Sequence, residues 1–123
     1  MKLSPHLSIY RFPMGAISSI TNRLTGLYLS GIFVGLGYYQ FCPKKIEIPE
    51  SWKTPLTYSL LFPTTYHTLG GLRHFVWDLN PKWITGKWTT YSSVGLFVGS
   101  IGMTIGLEYF LNPSKKKRID KEK

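Results

Sequence analysis

Three stretches of 19 residues, 24–42, 54–72 and 89–107, carry no acidic or basic side chain apart from His67 in the second. A helix needs about 20 mostly apolar residues to cross a hydrocarbon layer of about 30 Å, and each stretch reaches that with a few flanking residues. A soluble helical bundle would show a charged stripe at 3.6-residue spacing, and none of the three does. The pattern predicts an all-α membrane protein with three transmembrane helices, at about 18–42, 54–78 and 88–111. These form one domain over residues 1–112, followed by a basic, flexible tail at 113–123.

The ends of the stretches agree. Tyr38, Tyr39, Trp52, Trp77, Trp83, Trp88 and Tyr109 lie near the expected boundaries, where amphipathic rings favour the headgroup region. Pro43, Pro49 and Pro55 punctuate the first loop, Asn80-Pro81 the second, and Asn112-Pro113 closes the third helix. At 123 residues there is no room for a soluble catalytic domain beside the membrane part.

A net charge of +9 raises the question of nucleic acid. The basic residues flank the apolar stretches rather than forming one patch, so membrane lipid is the expected partner and nucleic acid is not. Lys115, Lys116, Lys117 and Arg118 suit anionic headgroups. The one cysteine, Cys42, excludes an internal disulfide and a Cys-based metal cluster built by this chain alone. The first apolar stretch starts too late and runs too long for a secretory signal. With an odd number of spans, the N-terminus shares a side with the 78–87 loop, and counting Lys and Arg on the two sides does not decide the orientation.

Ionisable groups at membrane depth are costly and mark function. Two clusters qualify. Ser19 and Arg23, four apart at the start of the first helix, share a face and offer a hydroxyl and a fixed cation to an oxygen-bearing ligand. A snorkelling Arg23 and a back-bonded Ser19 would fit the same spacing. The second cluster is Tyr66-His67-Thr68-Leu69-Gly70-Gly71-Leu72-Arg73-His74-Phe75-Val76-Trp77-Asp78. His67 and His74 fall on nearly one face, and Gly70 and Gly71 would leave a groove beside His67 for a flat macrocycle. A neutral imidazole can ligate haem iron, and Arg73 and His74 are placed to meet carboxylates; a histidine bonded to a neighbouring helix, with the glycines serving packing, is the competing reading. Because helix one starts where helix two ends, Ser19 and Arg23 are expected at one depth with Arg73, His74 and Asp78, so that the two clusters converge. Gly95, Gly99, Gly102 and Gly106 of helix three, with Gly31 and Gly35, read as close-packing positions.

The run Ser4-Pro5-His6-Leu7-Ser8-Ile9-Tyr10, then Ser19-Ile20-Thr21-Asn22-Arg23-Leu24-Thr25-Gly26, then the segment from His67 to Asp78, resembles the cytochrome b large subunit of succinate dehydrogenase, respiratory complex II. The family patterns are S-P-H-L-x-I-Y, S-x-x-H-R-x-T-G and H-x-x-x-G-x-R-H-x-x-W-D, and they occur in order over the first two-thirds of the chain. The resemblance implies half of a heterodimeric membrane anchor, paired with a second small anchor subunit and holding an iron–sulfur subunit and a flavoprotein subunit to the membrane. It implies an oxidoreductase role passing electrons from succinate to ubiquinone without a flavin of its own. Ser19, Arg23 and Phe12 would belong to the quinone site. His67 would be one axial ligand of a haem b iron shared with the partner, with Arg23 and His74 near the propionates. The N-terminus would face the matrix, and the location would be the mitochondrial inner membrane rather than a bacterial cytoplasmic membrane. The family's His before the Arg, which resembles a propionate contact, is Asn22 here. A haem-less structural anchor and the anchor of a fumarate reductase are the alternatives. An N-terminus so close to the first motif fits an organelle-encoded or processed chain.

Overall fold

The computed structural model describes residues 12–43 and 47–112. Within them the chain forms α1 (Met14–Phe41), α2 (Glu50–Leu79) and α3 (Gly86–Leu111), with a 3-10 turn at Pro81–Trp83 between the last two. The 113–123 tail and the Ser4-to-Tyr10 motif lie outside the described residues. At 28, 30 and 26 residues the helices outrun the apolar stretches. With about 1.5 Å of rise per residue, each is longer than a hydrocarbon layer is thick.

Prolines set two of the starts. Pro13 and Pro49 sit at the N-caps with ψ 148° and 146°, outside the helical range, and the helices begin immediately after them. Pro55, expected to punctuate the loop, instead lies inside α2 together with Pro63. A proline removes one helical hydrogen bond, which membrane helices tolerate because neighbours can satisfy the freed group. Glu50 and Lys53 pair in the first turn of α2.

Cross-helix contacts fix the topology. Tyr66 reaches Ser18 and His67 reaches Asn22, whereas Tyr28 bonds Ser59, so α1 and α2 run antiparallel. Arg73 bonds Ser93, Thr65 bonds Thr104 and Tyr58 bonds Glu108, so α2 and α3 are antiparallel too. Gly15 of α1 lies against Thr89 of α3, which closes the three-helix layer.

The interior is polar and the exterior apolar. Among the described residues the buried set is Ser18, Thr25, Thr65, Gly70, Ser93, Ser100, Thr104 and Glu108, with only Tyr66 and Leu96 from the large hydrophobic types. Leu27, Phe33, Val34 and Phe110 are 73%, 74%, 74% and 82% exposed. Water would oppose that arrangement, whereas in lipid the outward apolar side chains are solvated and the inward polar ones find partners. Among the described residues α3 alone is long and apolar enough to span by its own composition. In α1 and α2 the apolar residues are diluted by Ser, Thr, Asn, Tyr and Pro.

Helix α3 departs from expectation in two ways. Its contact face is Ser93, Leu96, Ser100, Thr104 and Glu108, a ladder of polar groups that glycine spacing does not anticipate. Ser93, Ser100 and Thr104 each donate to the carbonyl four residues back, at 2.7, 2.6 and 2.7 Å, so the hydroxyls stay satisfied while letting α2 approach. Of the four glycines only Gly99 comes near α2, where a Cβ would stand 4.0 Å from Leu69 Cδ1. A methyl placed on Gly95, Gly102 or Gly106 would meet nothing within 4 Å, and Gly31 and Gly35 of α1 are equally open.

Tyr66 is the central plug. It is fully buried, its ring lies 4.9 Å from Phe97 and 5.8 Å from Phe62, and its hydroxyl donates to Ser18 Oγ at 3.1 Å.

Candidate functional site: the seam between α1 and α2

One residue after Tyr66, His67 turns to the same seam. Its Nδ1 stands 3.0 Å from the backbone carbonyl oxygen of Asn22. A carbonyl can only accept, so Nδ1 carries a proton, and in the neutral ring Nε2 then keeps its lone pair. The close approach is possible because α1 has Gly26 there: a Cβ at this position would stand 2.7 Å from His67 Cε1.

The fit is reciprocal. The Asn22 side chain, one turn before Gly26, enters the space beside Gly70, one turn after His67; a Cβ on Gly70 would overlap its Oδ1 and come within 2.9 Å of its Cγ. Each helix presents one polar side chain and one notch. Gly70 is therefore buried and filled from within the chain, and of the two only Gly71 is open, with nothing within 4 Å among the described residues. The two-glycine groove expected beside His67 is thus half occupied, because spacing on α2 does not reveal which α1 side chain it faces. Asn22 Oδ1 is buried and has no hydrogen-bond partner among the described residues.

Register corrects the expected depths. Ser18 meets Tyr66 and Asn22 meets His67, so Ser19 and Arg23 stand level with His67. Arg73 and His74 lie six and seven residues further along α2, about 10 Å towards its end at 1.5 Å per residue. Ser19 is half-buried, and Arg23 is exposed. Phe12 is exposed, just before the Pro13 cap. His74 is exposed and packs edge-on against Trp77 at 5.4 Å. Arg73 is drawn to α3 instead: Nη1 donates to Ser93 Oγ at 3.0 Å, and the guanidinium lies 4.5 Å over the Trp77 ring. Trp77, Trp83, Trp88 and Ser92 line a cleft of about 260 Å³ at this end.

Among the described residues no three His, Cys, Asp or Glu side chains gather as a metal-ion cluster requires. The donor here is a single imidazole, which suits a metal already held in an organic ring. Sequence reasoning overlooks Gly26, Tyr66 with Ser18, and the inward turn of Asn22. The Thr-Gly step after Arg23 is the available signal for the first.

Long helices with polar groups inside and apolar groups outside, and one oriented histidine between them, define an all-helical membrane protein with a ligand-competent imidazole. Residues 1–107 match the model of the succinate dehydrogenase/fumarate reductase transmembrane subunit family, and the chain belongs to that family. The mitochondrial succinate dehydrogenase cytochrome b560 subunit of Dictyostelium discoideum is 39% identical over 88 residues, covering 64% of this chain and 46% of that protein. The same-named subunit of Sus scrofa is 30% identical over 121 residues, covering 85% of this chain and 68% of its own. The cytochrome b556 subunit of Paracoccus denitrificans is 35% identical over 86 residues, 62% of this chain and 65% of its own length. The match thus spans less than half of the first relative and about two-thirds of the other two.

Proposed function

We propose that this chain is a membrane-anchor subunit of succinate dehydrogenase, crossing the membrane three times as half of a two-chain anchor. In this reading it lies in the mitochondrial inner membrane and holds an iron–sulfur subunit and a flavoprotein subunit at its N-terminal side. The family model covers succinate dehydrogenases and fumarate reductases together. The three relatives described above carry succinate dehydrogenase names, which favours succinate oxidation; ubiquinone is the acceptor in this reading.

The observation that carries the reading is the His67 Nδ1–Asn22 carbonyl contact, which orients the imidazole and, in the neutral ring, leaves Nε2 as a donor to iron. The residues fit a haem b shared with a partner chain, with His67 as one axial ligand and Arg23 and His74 near its propionates. Haem, when bound, supplies a one-electron carrier beside the quinone site. The quinone site is assigned to Ser19 and Arg23, with Phe12 at its entrance. The Ser19 hydroxyl donates to a quinone carbonyl, and the Arg23 guanidinium stabilises the negative charge that develops on the oxygen as electrons arrive. Protons must follow, which favours a position near the aqueous side.

A haem-free anchor is the second reading, and Asn22 favours it. Where the family has a histidine suited to a propionate, this chain has an amide turned into the Gly70 notch. A reduced-minus-oxidised spectrum of the purified complex, native and His67→Leu, separates the two. Haem bound through His67 gives a native α-band that the variant abolishes or alters. A native complex without the band supports the haem-free anchor.

A further inference from the structure

We infer that Gly26 is a positioning residue for His67: its missing side chain lets the imidazole reach the Asn22 carbonyl, which holds the proton on Nδ1 and reserves Nε2 for a ligand. The inference rests on the haem reading for what Nε2 serves, though not for the tautomer itself.

Three observations converge. The ring lies so close to α1 that a Cβ on Gly26 would stand 2.7 Å from Cε1, 3.3 Å from Nδ1 and 3.5 Å from Nε2. Non-bonded carbons settle at about 3.5–4.0 Å, so a methyl there would drive the ring back by about 0.8 Å or more. The Nδ1–O distance, now 3.0 Å, would then pass beyond hydrogen-bond range. Finally, the acceptor is a backbone oxygen of a helix that is itself locked: Tyr66 is bonded to Ser18 one turn earlier, and Thr25 Oγ1 donates to the same Asn22 oxygen at 2.9 Å. The carbonyl cannot swing to follow a displaced ring.

Gly26 therefore does more than permit helix contact. Gly31, one turn and a residue further on, has nothing within 4 Å, so the same substitution there meets no ring. Which nitrogen of a histidine is protonated is set by the bond that the other nitrogen's environment allows. Without the Asn22 acceptor nothing holds the proton on Nδ1, and a proton moved to Nε2 blocks coordination. Loss of such an orienting bond typically weakens metal binding by roughly 10–100-fold.

The test uses the assembled four-subunit complex in membranes: native, Gly26→Ala, Gly31→Ala and His67→Leu. Haem retention and midpoint potential are measured, and the histidine tautomer is read by nitrogen-15 NMR of haem-extracted, histidine-labelled complex, with His67→Leu assigning the signal. Native and Gly31→Ala complexes should show His67 protonated at Nδ1. Gly26→Ala should move it towards the Nε2–H form, weaken haem retention by roughly tenfold or more, and shift the potential by about 59 mV for each tenfold change in preference between oxidised and reduced haem. A Gly26→Ala complex with native tautomer, retention and potential overturns the inference, as does a native His67 protonated at Nε2. The native tautomer decides the matter even if Gly26→Ala does not assemble. A native-like haem spectrum in His67→Leu would refute the haem assignment while leaving the tautomer result to decide the role of Gly26.

Discussion

Gly70→Ala is the substitution whose effect the seam defines best. A Cβ there would overlap Asn22 Oδ1 and sit 2.9 Å from Asn22 Cγ, so either the helices separate or the amide leaves the notch. Overpacking of this kind costs about 1–3 kcal/mol. Replacing glycine by alanine inside a helix gains about 1 kcal/mol, which must be removed from the comparison. Gly71→Ala does that, because it adds the same methyl to the same helix with nothing within 4 Å. Gly70→Ala should thus be less stable than Gly71→Ala by about 1–3 kcal/mol. Thermal loss of subunit association, followed in detergent for both variants, reads the difference. Combining Gly70→Ala with Asn22→Ala should erase most of it, since the methyl then enters the space the amide leaves. Equal stability of the two alanine variants, or no rescue by Asn22→Ala, would refute the reciprocal fit of Asn22 and His67 into facing notches.

Further outcomes follow from the other contacts. Tyr66→Phe removes the bond to Ser18 but keeps the ring between Phe62 and Phe97, so the loss should be about 0.6 kcal/mol and not above about 1.7; the same thermal assay measures it. Arg73→Ala should destabilise the end of α2 by about 1.5–3 kcal/mol, the worth of a hydrogen bond to a charged group. In a double-mutant cycle with Ser93→Ala, coupling of at least about 0.5 kcal/mol is expected if the 3.0 Å bond is made, and strict additivity contradicts it.

The helices are legible in the sequence because charge is absent from three long stretches, a one-dimensional property. Their starts are less so: Pro55 reads as loop punctuation, yet α2 begins at Glu50 and carries the proline inside. His67 stands out as a lone ionisable group at depth, and its family motif points to the same residue. What spacing does not give is the identity of the facing side chain. Gly70 reads as an empty groove and is filled by Asn22, whereas Gly26, which enters only as the end of a family motif, touches the imidazole. Helix ends alone pair Ser19 and Arg23 with His74 in depth. The Tyr66–Ser18 and His67–Asn22 contacts pair them with His67 instead. In α3 the glycine spacing draws attention away from Ser93, Ser100 and Thr104. Hydroxyls that bond their own helix carry little signal in sequence, although they form the contact face.

That this chain supplies the quinone end of a succinate-oxidising complex is tested most directly by Ser19→Ala. Losing a hydrogen bond to a group that becomes charged costs about 1.5–3 kcal/mol, which corresponds to a roughly ten- to hundredfold slower step. Succinate-driven reduction of an artificial dye, which bypasses the membrane site, is compared with reduction of a short-chain ubiquinone in the same membranes. Quinone reduction should fall by that factor while dye reduction stays at the native rate. Both activities falling together would make Ser19 an assembly residue, and neither falling would place the quinone elsewhere; either result contradicts the claim.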